Sequence, residues 1–252
     1  MKIFKYPFYI IWRFWFLCWV ILTIVPIFPV LIIVTSSEKL YPYFFKIARA
    51  WANTILFVMG FKIDLVETQV LEKEKSFMFC PNHTSMIDIM VMLSVTKNPF
   101  VFVGKKELSK IPIFGFFYKR SCILVDRGDA KSRKAVFDEA RRRLSNGLDV
   151  CIFPEGLVPE DESIILSEFK NGAFRLAIEH QIPIVPMTFY DCKKRLSYTF
   201  FSGSPGKLRV KIHEFIETEG LVLNDSNSLK KQTFDIIYNE LSTDLKKQEI
   251  HT

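Results

Sequence analysis

Residues 77–88 read FMFCPNHTSMID, and this stretch decides the fold. Its first four residues form an apolar run that is typical of a buried strand, and this strand delivers His83 into a polar loop. Thr84 or Ser85 is suited to cap a following helix, which we expect over residues 87–96. A strand that passes through a short loop into a helix is the repeating unit of an α/β sheet, so we expect the same alternation elsewhere in the chain.

The alternation of β-rich runs with helical patterns continues from Gly60 onward. It predicts an α/β domain over residues 61–252, with a mixed, largely parallel sheet flanked by helices. In sheets of this kind, functional groups usually lie at the carboxyl ends of the strands. The predicted strands are residues 61–66, 77–80, 100–103, 122–125, 150–153, 182–189 and 207–216, and the further helices are residues 130–146, 172–180 and 228–248.

The N-terminal segment does not share this pattern. Residues 14–34 contain no charged side chain, and a run of this length is sufficient to span a membrane. We expect a helix that begins near Lys5 and ends or kinks near Val25, because Pro26 and Pro29 interrupt the run. A secretory signal peptide is the competing interpretation, but the apolar run is longer than in such peptides and no Ala-x-Ala-like site follows it.

A second apolar segment, residues 41–60, carries Lys46 and Arg49, which suits a helix that lies at an interface. All four tryptophans lie in the first 60 residues, and tryptophan favours the headgroup level of a bilayer. We therefore predict that residues 1–60 form two helices that attach the protein to a membrane, with two buried core helices as the alternative. Positive charges flank the first helix on both sides, so spanning and re-entry both stay open.

The chain is apolar and basic at once, with a mean hydropathy of +0.17 and a formal net charge of +7. Residues 1–60 and residues 97–127 each carry a net charge of +5, and the remainder is slightly acidic. This excess favours an anionic partner: a nucleic acid, a membrane surface or a phosphorylated substrate. We expect no nucleic acid, because the aromatic side chains of residues 111–118 form one apolar run and do not alternate with cations.

His83 and Asp88 are the first candidates for catalysis. With Asp88 in the first turns of the predicted helix, its carboxylate can accept a hydrogen bond from one imidazole nitrogen and fix the tautomer. The other nitrogen is then able to act as a base. The alternative is a polar turn in which Asp88 only favours the helix N-terminus.

Further candidates follow other strands of the predicted sheet. Lys105 and Arg127 each come after an apolar strand, and converging cations at strand ends suit a phosphate group. Glu155 follows a third strand and is able to hydrogen-bond a substrate hydroxyl, although Pro154 and Gly156 by themselves indicate a simple turn.

Several classes of chemistry lack their motifs. The chain contains no P-loop, dinucleotide fingerprint, Gly-x-Ser-x-Gly elbow or metal-ligand cluster, so we expect no metal site, no nucleotide chemistry and no serine hydrolase. The five cysteines are widely spaced and include no Cys-x-x-Cys pair. They are expected to be buried free thiols.

Four blocks of sequence resemble the glycerolipid acyltransferase family typified by 1-acylglycerol-3-phosphate acyltransferase. The blocks occur in the family's order, and the resemblance covers about residues 60–220. They are residues 82–88 (NHTSMID), which match the His-x4-Asp block, residues 121–127 (SCILVDR), residues 153–156 (FPEG) and residues 182–187 (IPIVPM).

The resemblance implies transfer of an acyl group from acyl-CoA or acyl carrier protein to the free hydroxyl of a lysolipid. The foremost acceptor is 1-acylglycerol-3-phosphate, which gives phosphatidic acid in phospholipid biosynthesis. His83 would take the hydroxyl proton, and Asp88 would orient His83. No cofactor is implied beyond the acyl donor.

The resemblance also implies an acceptor site. Lys105 and Arg127 would hold the acceptor phosphate, and Glu155 and Gly156 would shape the glycerol site. The protein would lie at the cytoplasmic face of the inner (cell) membrane, in contact with membrane lipids. Further acceptor-binding positions implied by the blocks are Asn82, Ser85, Phe153 and Pro154.

Departures from the family pattern leave the acceptor open. Leu157 and Val158 stand where many members have Thr-Arg, and Ser121 stands where a small residue, usually glycine, opens the second block. Another lysophospholipid or a hydroxylated amino-acid lipid is therefore an alternative acceptor. A lipid-binding membrane protein without catalysis is the alternative from another class.

Overall fold

The computed structural model describes residues 5–72, 75–111, 114–126, 128–159, 161 and 163–250. The helices are α1 (Lys5–Val34), α2 (Tyr41–Val58), α3 (Asp88–Val95), α4 (Phe114–Ser121), α5 (Ala130–Ser145), α6 (Gly172–His180), α7 (Cys192–Leu196) and α8 (Ser226–Ile250). The strands are β1 (Phe61–Glu67), β2 (Met78–Pro81), β3 (Phe100–Lys105), β4 (Ile123–Val125), β5 (Asp149–Cys151), β6 (Ile184–Phe189) and β7 (Gly206–Ile212).

The strands form one sheet in the order β1-β7-β6-β2-β5-β3-β4. β2 is parallel to both of its neighbours, with Phe79 opposite Cys151 of β5 on one side and Val185 of β6 on the other. β3 is parallel to β5 and to β4. An isolated antiparallel bridge joins Ile184 and Ile216. The predicted α/β fold with a mixed, largely parallel sheet flanked by helices is confirmed.

All seven predicted strands are present, and their ends differ from the prediction by a few residues. The largest difference concerns β7, which ends at Ile212 rather than at residue 216. Beyond that point the His213 N–H donates to the Pro186 carbonyl, and Ile216 pairs with Ile184. Pro186 has no N–H to donate, so a continuous ladder cannot form there.

Helices α3, α5, α6 and α8 correspond to predicted helices, whereas α4 and α7 were not predicted. The sequence of α4, FGFFYKRS, is rich in residues of low helix propensity, and burial of Phe117 and Tyr118 stabilises it instead. Its Gly115 lies against the preceding 3-10 helix, Lys106–Lys110. A Cβ at Gly115 would lie 2.1 Å from the Ser109 carbonyl oxygen, so only glycine permits this approach.

The first helix is longer than expected. α1 runs through Pro26 and Pro29 to Val34, so the expected end near Val25 is wrong. A proline inside a helix removes one backbone donor and costs about 3 kcal/mol. A long apolar helix tolerates this cost, because its other backbone bonds persist on both sides of the proline.

The described residues pack into two compact units. The first contains α1, α2, β1 up to Leu65, residues 84–97 with α3, and residues 189–210 with α7. The second contains the other described residues, including β2 to β5, nearly all of β6, α4, α5, α6 and α8. The division near residue 60 that composition indicates stays a prediction.

In the first unit, tryptophan side chains tie α1 to α2. The Trp51 indole N–H donates to the Thr23 hydroxyl at 2.9 Å, and the Trp15 indole N–H donates to the Val58 carbonyl at 3.1 Å. Among the described residues, Tyr6–Val34 is the one helical stretch long and apolar enough to cross a membrane, and 11% of its most apolar part is buried. For α1, the alternative of a buried core helix is therefore wrong.

The strands at the centre of the second unit are buried on both faces. Every residue of β2, β5 and β6 is inaccessible to solvent or nearly so. Cys80 and Cys151 lie in this core, and burial raises the pKa of both thiols. The cysteines are free, as expected, but Cys18 and Cys122 are half-buried rather than buried.

Gly115→Ala is expected to lower the free energy of unfolding by roughly 1–3 kcal/mol, because the added methyl group would overlap main-chain atoms of Ser109. Gly172→Ala is the matched control. A Cβ added at Gly172 would have no heavy atom within 4 Å, and alanine favours a helix. We therefore expect no loss of stability in this variant. Chemical denaturation measures both, and equal losses would contradict the close packing of α4.

Asp149 is a buried carboxyl group at the start of β5. Its Oδ1 accepts the Phe77 N–H at 3.0 Å. Burial raises the pKa of Asp149 to about 7, although the Phe77 N–H opposes the shift. Because the folded pKa is raised, this group contributes stability below its unfolded pKa, and the contribution is lost as the pH rises through about 7.

Asp149→Asn is expected to remove this dependence while keeping an oxygen that accepts the Phe77 N–H. Between the unfolded and folded pKa values of Asp149, the free energy of unfolding of the variant should rise relative to wild type by on the order of 1 kcal/mol for each pH unit. Denaturant titrations across that window measure the difference. Burial lowers the pKa of His213 to about 4. This group contributes equally to the pH dependence of both proteins, so its contribution cancels in the difference between them. A difference that does not change with pH would contradict the raised pKa.

Candidate functional site

β2 delivers His83 to the carboxyl edge of the sheet, within the second unit. The imidazole is half-buried and stacks on the Phe153 ring, with centroids 4.2 Å apart and planes inclined by 25°. Phe153 in turn stacks on Phe102, with centroids 6.0 Å apart. Since Phe153 follows β5 and Phe102 lies in β3, three neighbouring strands fix the plane of the imidazole.

Glu155 is buried and holds the main chain of His83. Its Oε1 accepts the His83 N–H at 2.6 Å, and its Oε2 accepts the Ser167 N–H at 2.8 Å. Burial raises the pKa of Glu155, and the bonds from His83 and Ser167 oppose the shift. The residue is 4% exposed, and each oxygen has a main-chain donor. In this structure Glu155 therefore positions His83.

Residues 153–156 form the tight turn that proline and glycine predict. Gly156 has a φ of +81°, in the left-handed region that favours glycine, and its N–H donates to the Phe153 carbonyl at 3.0 Å. Pro154 is buried, and its carbonyl accepts the Lys170 N–H at 2.8 Å. This turn directs Glu155 inward.

Asp88 lies in the first unit and closes the loop before α3. It is fully buried, and its Oδ2 accepts the N–H groups of Thr84 at 2.6 Å and Ser85 at 2.8 Å. Two charge-assisted bonds offset the cost of removing a carboxylate from water. Both donors precede the helix, so Asp88 does more than favour the helix N-terminus. It fixes the main chain that follows His83.

Ser85 is also part of this loop, and its side chain is fully buried. Its hydroxyl accepts the Ile87 N–H at 3.2 Å and donates to the Leu196 carbonyl. The expected cap by Thr84 or Ser85 is wrong, because the residue before α3 is Ile87 and its side chain makes no capping bond. The hydroxyl of Ser85 instead ties the loop to the end of α7.

Two residues near Asp88 were not found from the sequence. Burial raises the pKa of Cys192, and the negative charge of Asp88 raises it further. The same two causes raise the pKa of Tyr198. Both residues belong to α7 and the segment after it, far along the chain from the His-x4-Asp block, so no local pattern links them to Asp88.

The remaining predicted site residues follow strands of the second unit. Asn82 is buried directly after β2, and Lys105 ends β3 and is half-buried. Because β2, β3 and β5 are parallel, Lys105 lies at the same sheet edge as His83 and the turn after β5. Arg127 lies outside the described residues. Among the described residues, no group of His, Cys, Asp and Glu side chains is placed to hold a metal ion.

Together these contacts define a site suited to proton transfer. The imidazole of His83 has its plane fixed by an aromatic stack and its main chain fixed by a buried carboxylate. A base held in this way needs little reorganisation to accept a proton from a substrate.

The Acyltransferase family model matches residues 62–190, which is just over half of the chain and includes His83, Asp88 and Glu155. The chain therefore belongs to the acyltransferase family, as the four blocks predict.

Individual relatives agree with this membership. The chain is 26% identical over 231 residues to an uncharacterized acyltransferase of Schizosaccharomyces pombe, covering 90% of this chain and 83% of the relative. It is 29% identical over 212 residues to human 1-acyl-sn-glycerol-3-phosphate acyltransferase alpha, covering 79% and 71%. The crystal structure of the 1-acyl-sn-glycerophosphate acyltransferase PlsC from Thermotoga maritima has a TM-score of 0.77 at 20% identity, covering 96% and 98%. At that identity, the likeness establishes the fold.

Glu155→Gln is expected to lower kcat for acyl transfer by about 10- to 100-fold while changing the acceptor KM little, because misplacing a base slows the chemical step. The amide presents one acceptor oxygen to two main-chain donors, so one of the bonds to His83 and Ser167 is lost. A raised KM with kcat unchanged would instead support the acceptor-binding role predicted from the sequence. Thermal unfolding of the variant controls for loss of fold.

Proposed function

We propose that this chain is a membrane-associated O-acyltransferase that moves an acyl group from acyl-CoA or acyl carrier protein to the hydroxyl of 1-acylglycerol-3-phosphate. The observation that carries the proposal is the fixed His83 imidazole at the carboxyl end of β2, within the matched family region. The names of the human relative and of the Thermotoga protein support the choice of acceptor.

In the proposed reaction, His83 is the general base. It takes the proton from the acceptor hydroxyl while that oxygen bonds to the thioester carbonyl carbon. The carbon–sulfur bond then breaks, and the thiol leaves with the proton that His83 held. General-base catalysis of this kind contributes about 10²- to 10⁴-fold in rate.

Asp88 is proposed to orient His83 and to stabilise the imidazolium that forms. Its support is the place of Asp88 five residues after His83 in the matched block, together with the two loop N–H bonds that hold its carboxylate rigidly. An oriented carboxylate favours the charged form of a nearby imidazole. No covalent acyl-enzyme is required.

The proposed acceptor site lies on the same sheet edge. Lys105 and Arg127 would hold the phosphate, Gly156 would shape the glycerol site, and Asn82 would contact the acceptor. Lys105 supports this assignment, since it ends β3 on the edge that carries His83.

Leu157 favours a second candidate acceptor. Its side chain is 54% exposed directly after the FPEG turn, and Leu157 and Val158 are apolar where the family pattern described above has Thr-Arg. An apolar pair offers no charge to a phosphomonoester, so another lysophospholipid or a hydroxylated amino-acid lipid is the alternative acceptor.

Membrane attachment is proposed to occur through α1 at the cytoplasmic face of the cell membrane. The support is the exposed apolar surface of α1 and the clustering of the tryptophans in the first 60 residues. Both lipid substrates would then reach the site from the bilayer.

His83→Ala is expected to lower the rate of lysolipid-dependent thiol release from acyl-CoA by about 10²- to 10⁴-fold. His180→Ala is the matched control, because His180 is half-buried at the end of α6 and has no proposed role. We expect its rate to stay close to wild type. Full activity in the His83 variant would exclude this mechanism.

The acceptor is tested with the wild-type protein and a panel of lysolipids. Faster thiol release with 1-acylglycerol-3-phosphate than with lysophospholipids of other head groups supports the proposed substrate, and the reverse order supports the second candidate. Tight lysolipid binding with no thiol release from either donor would favour the non-catalytic alternative. Parallel assays with acyl-CoA and acyl carrier protein identify the donor.

A further inference from the structure

The segment after α7 exposes aromatic side chains that the proposed reaction does not use. Tyr198, Phe200 and Phe201 are 54%, 51% and 49% exposed. Aromatic rings are usually buried, and a cluster of exposed rings marks a contact surface. Residues 198–201 are called the aromatic segment below.

Arg13 of α1 holds the aromatic segment in place. Its guanidinium donates to the carbonyls of Ser197 at 2.6 Å and Phe200 at 2.7 Å, and also to the carbonyl of Thr199. The guanidinium carbon lies 5.4 Å from the centroid of the Phe200 ring. A planar cation bonded to three carbonyls fixes the main chain of the segment, so its exposed rings are held against α1 in one arrangement.

The aromatic segment continues the exposed apolar surface of α1. The Phe201 ring lies edge-on to the Tyr6 ring, with centroids 5.0 Å apart, and at the same distance from Phe200. Tyr6 is itself exposed, and the same helix exposes Ile10 and Phe14. The apolar surface that is proposed to meet the membrane therefore extends from α1 onto a segment outside the two N-terminal helices.

Basic residues precede the aromatic segment by a few positions in the chain. Lys193 and Lys194 belong to α7, and Lys194 is exposed. The next residue, Arg195, is half-buried and donates to the carbonyls of Pro205 and Lys207. Lysines that precede exposed aromatic rings in the chain suit the headgroup level of a bilayer that contains anionic lipid.

The aromatic segment also adjoins the loop that contains Asp88, within the same unit. The Ser85 hydroxyl donates to the Leu196 carbonyl, two residues before Tyr198. The charge of Asp88 contributes to the raised pKa of Tyr198, which is a second sign that the segment and the loop are close. A surface that contacts lipid here would present a lysolipid beside the His-x4-Asp loop.

We propose that the aromatic segment is a second membrane contact, in which Tyr198, Phe200 and Phe201 insert at the headgroup level of an anionic bilayer. The inference rests on the proposed membrane attachment of α1 and extends it. A lipid surface is the partner, because the segment is continuous with α1 and is preceded by lysines. The bonds from Arg13 fix the depth at which α1 enters the bilayer relative to this contact.

The test is sedimentation of the full-length protein with phosphatidylcholine vesicles that contain phosphatidylglycerol. The double change Phe200→Ser and Phe201→Ser is expected to lower the partition coefficient roughly tenfold, because two large rings no longer insert. Tyr238→Ser with Leu245→Ser is the matched control: both are exposed on α8, and their loss should leave partitioning unchanged. Phe200→Trp with Phe201→Trp should retain wild-type partitioning or exceed it.

Each outcome separates this inference from the proposals on which it rests. If wild type partitions and the double serine variant partitions equally well, the aromatic-segment contact is wrong and attachment through α1 stands. If wild type does not partition, both are wrong. Sedimentation does not depend on acyl transfer, so the catalytic proposal is judged separately. If the double variant unfolds, Phe201→Ser alone is used, because it leaves the Arg13 contact with Phe200 intact. A smaller loss of partitioning in this variant supports the aromatic-segment contact, and unchanged partitioning contradicts it.

Discussion

The loop after β2 depends on buried carboxylates that accept main-chain N–H groups. Glu155 takes the N–H of His83, and Asp88 takes the N–H groups of Thr84 and Ser85. Three successive residues of the chain are thereby held by charge-assisted bonds, and each bond offsets part of the cost of burying its carboxylate. The loop is thus set before any substrate arrives, which is what a positioned base requires.

In the first unit, one charged side chain anchors an otherwise apolar helix. Arg13 lies in the apolar helix α1, yet its guanidinium is bonded to main-chain carbonyls of the segment after α7. The charge pattern of the sequence treats Arg13 as one of several cations that flank a membrane helix. In the folded chain it instead joins that helix to the rest of its unit, so counting charges along the sequence overstates the number that face lipid headgroups.

The parts of the fold that were predicted are those set by local pattern. Alternating β-rich and helical segments identified every strand among the described residues, and residues 77–88 placed His83 at the end of a strand. The parts that were not predicted depend on distant partners. α4 is stabilised by burial rather than by helix propensity, and the bonds of Glu155 to Ser167 and of Ser85 to Leu196 join residues with no shared motif. The expected end of α1 near Val25 was wrong because a local proline rule was outweighed by a long apolar helix, whereas the expected kink stays a prediction.

The buried cysteines bear on chemoselectivity. A thioester is attacked by thiolates more readily than by alcohols, so binding of the proposed acyl thioester donor would expose the protein's own cysteines to acylation. Burial raises the pKa of Cys80, Cys151 and Cys192, which keeps these sulfurs protonated and out of reach of a donor. Cys192 lies beside Asp88, and the charge of that carboxylate disfavours the thiolate further. In the proposed reaction, the carboxylate that closes the His-x4-Asp loop would therefore also disfavour a competing nucleophile.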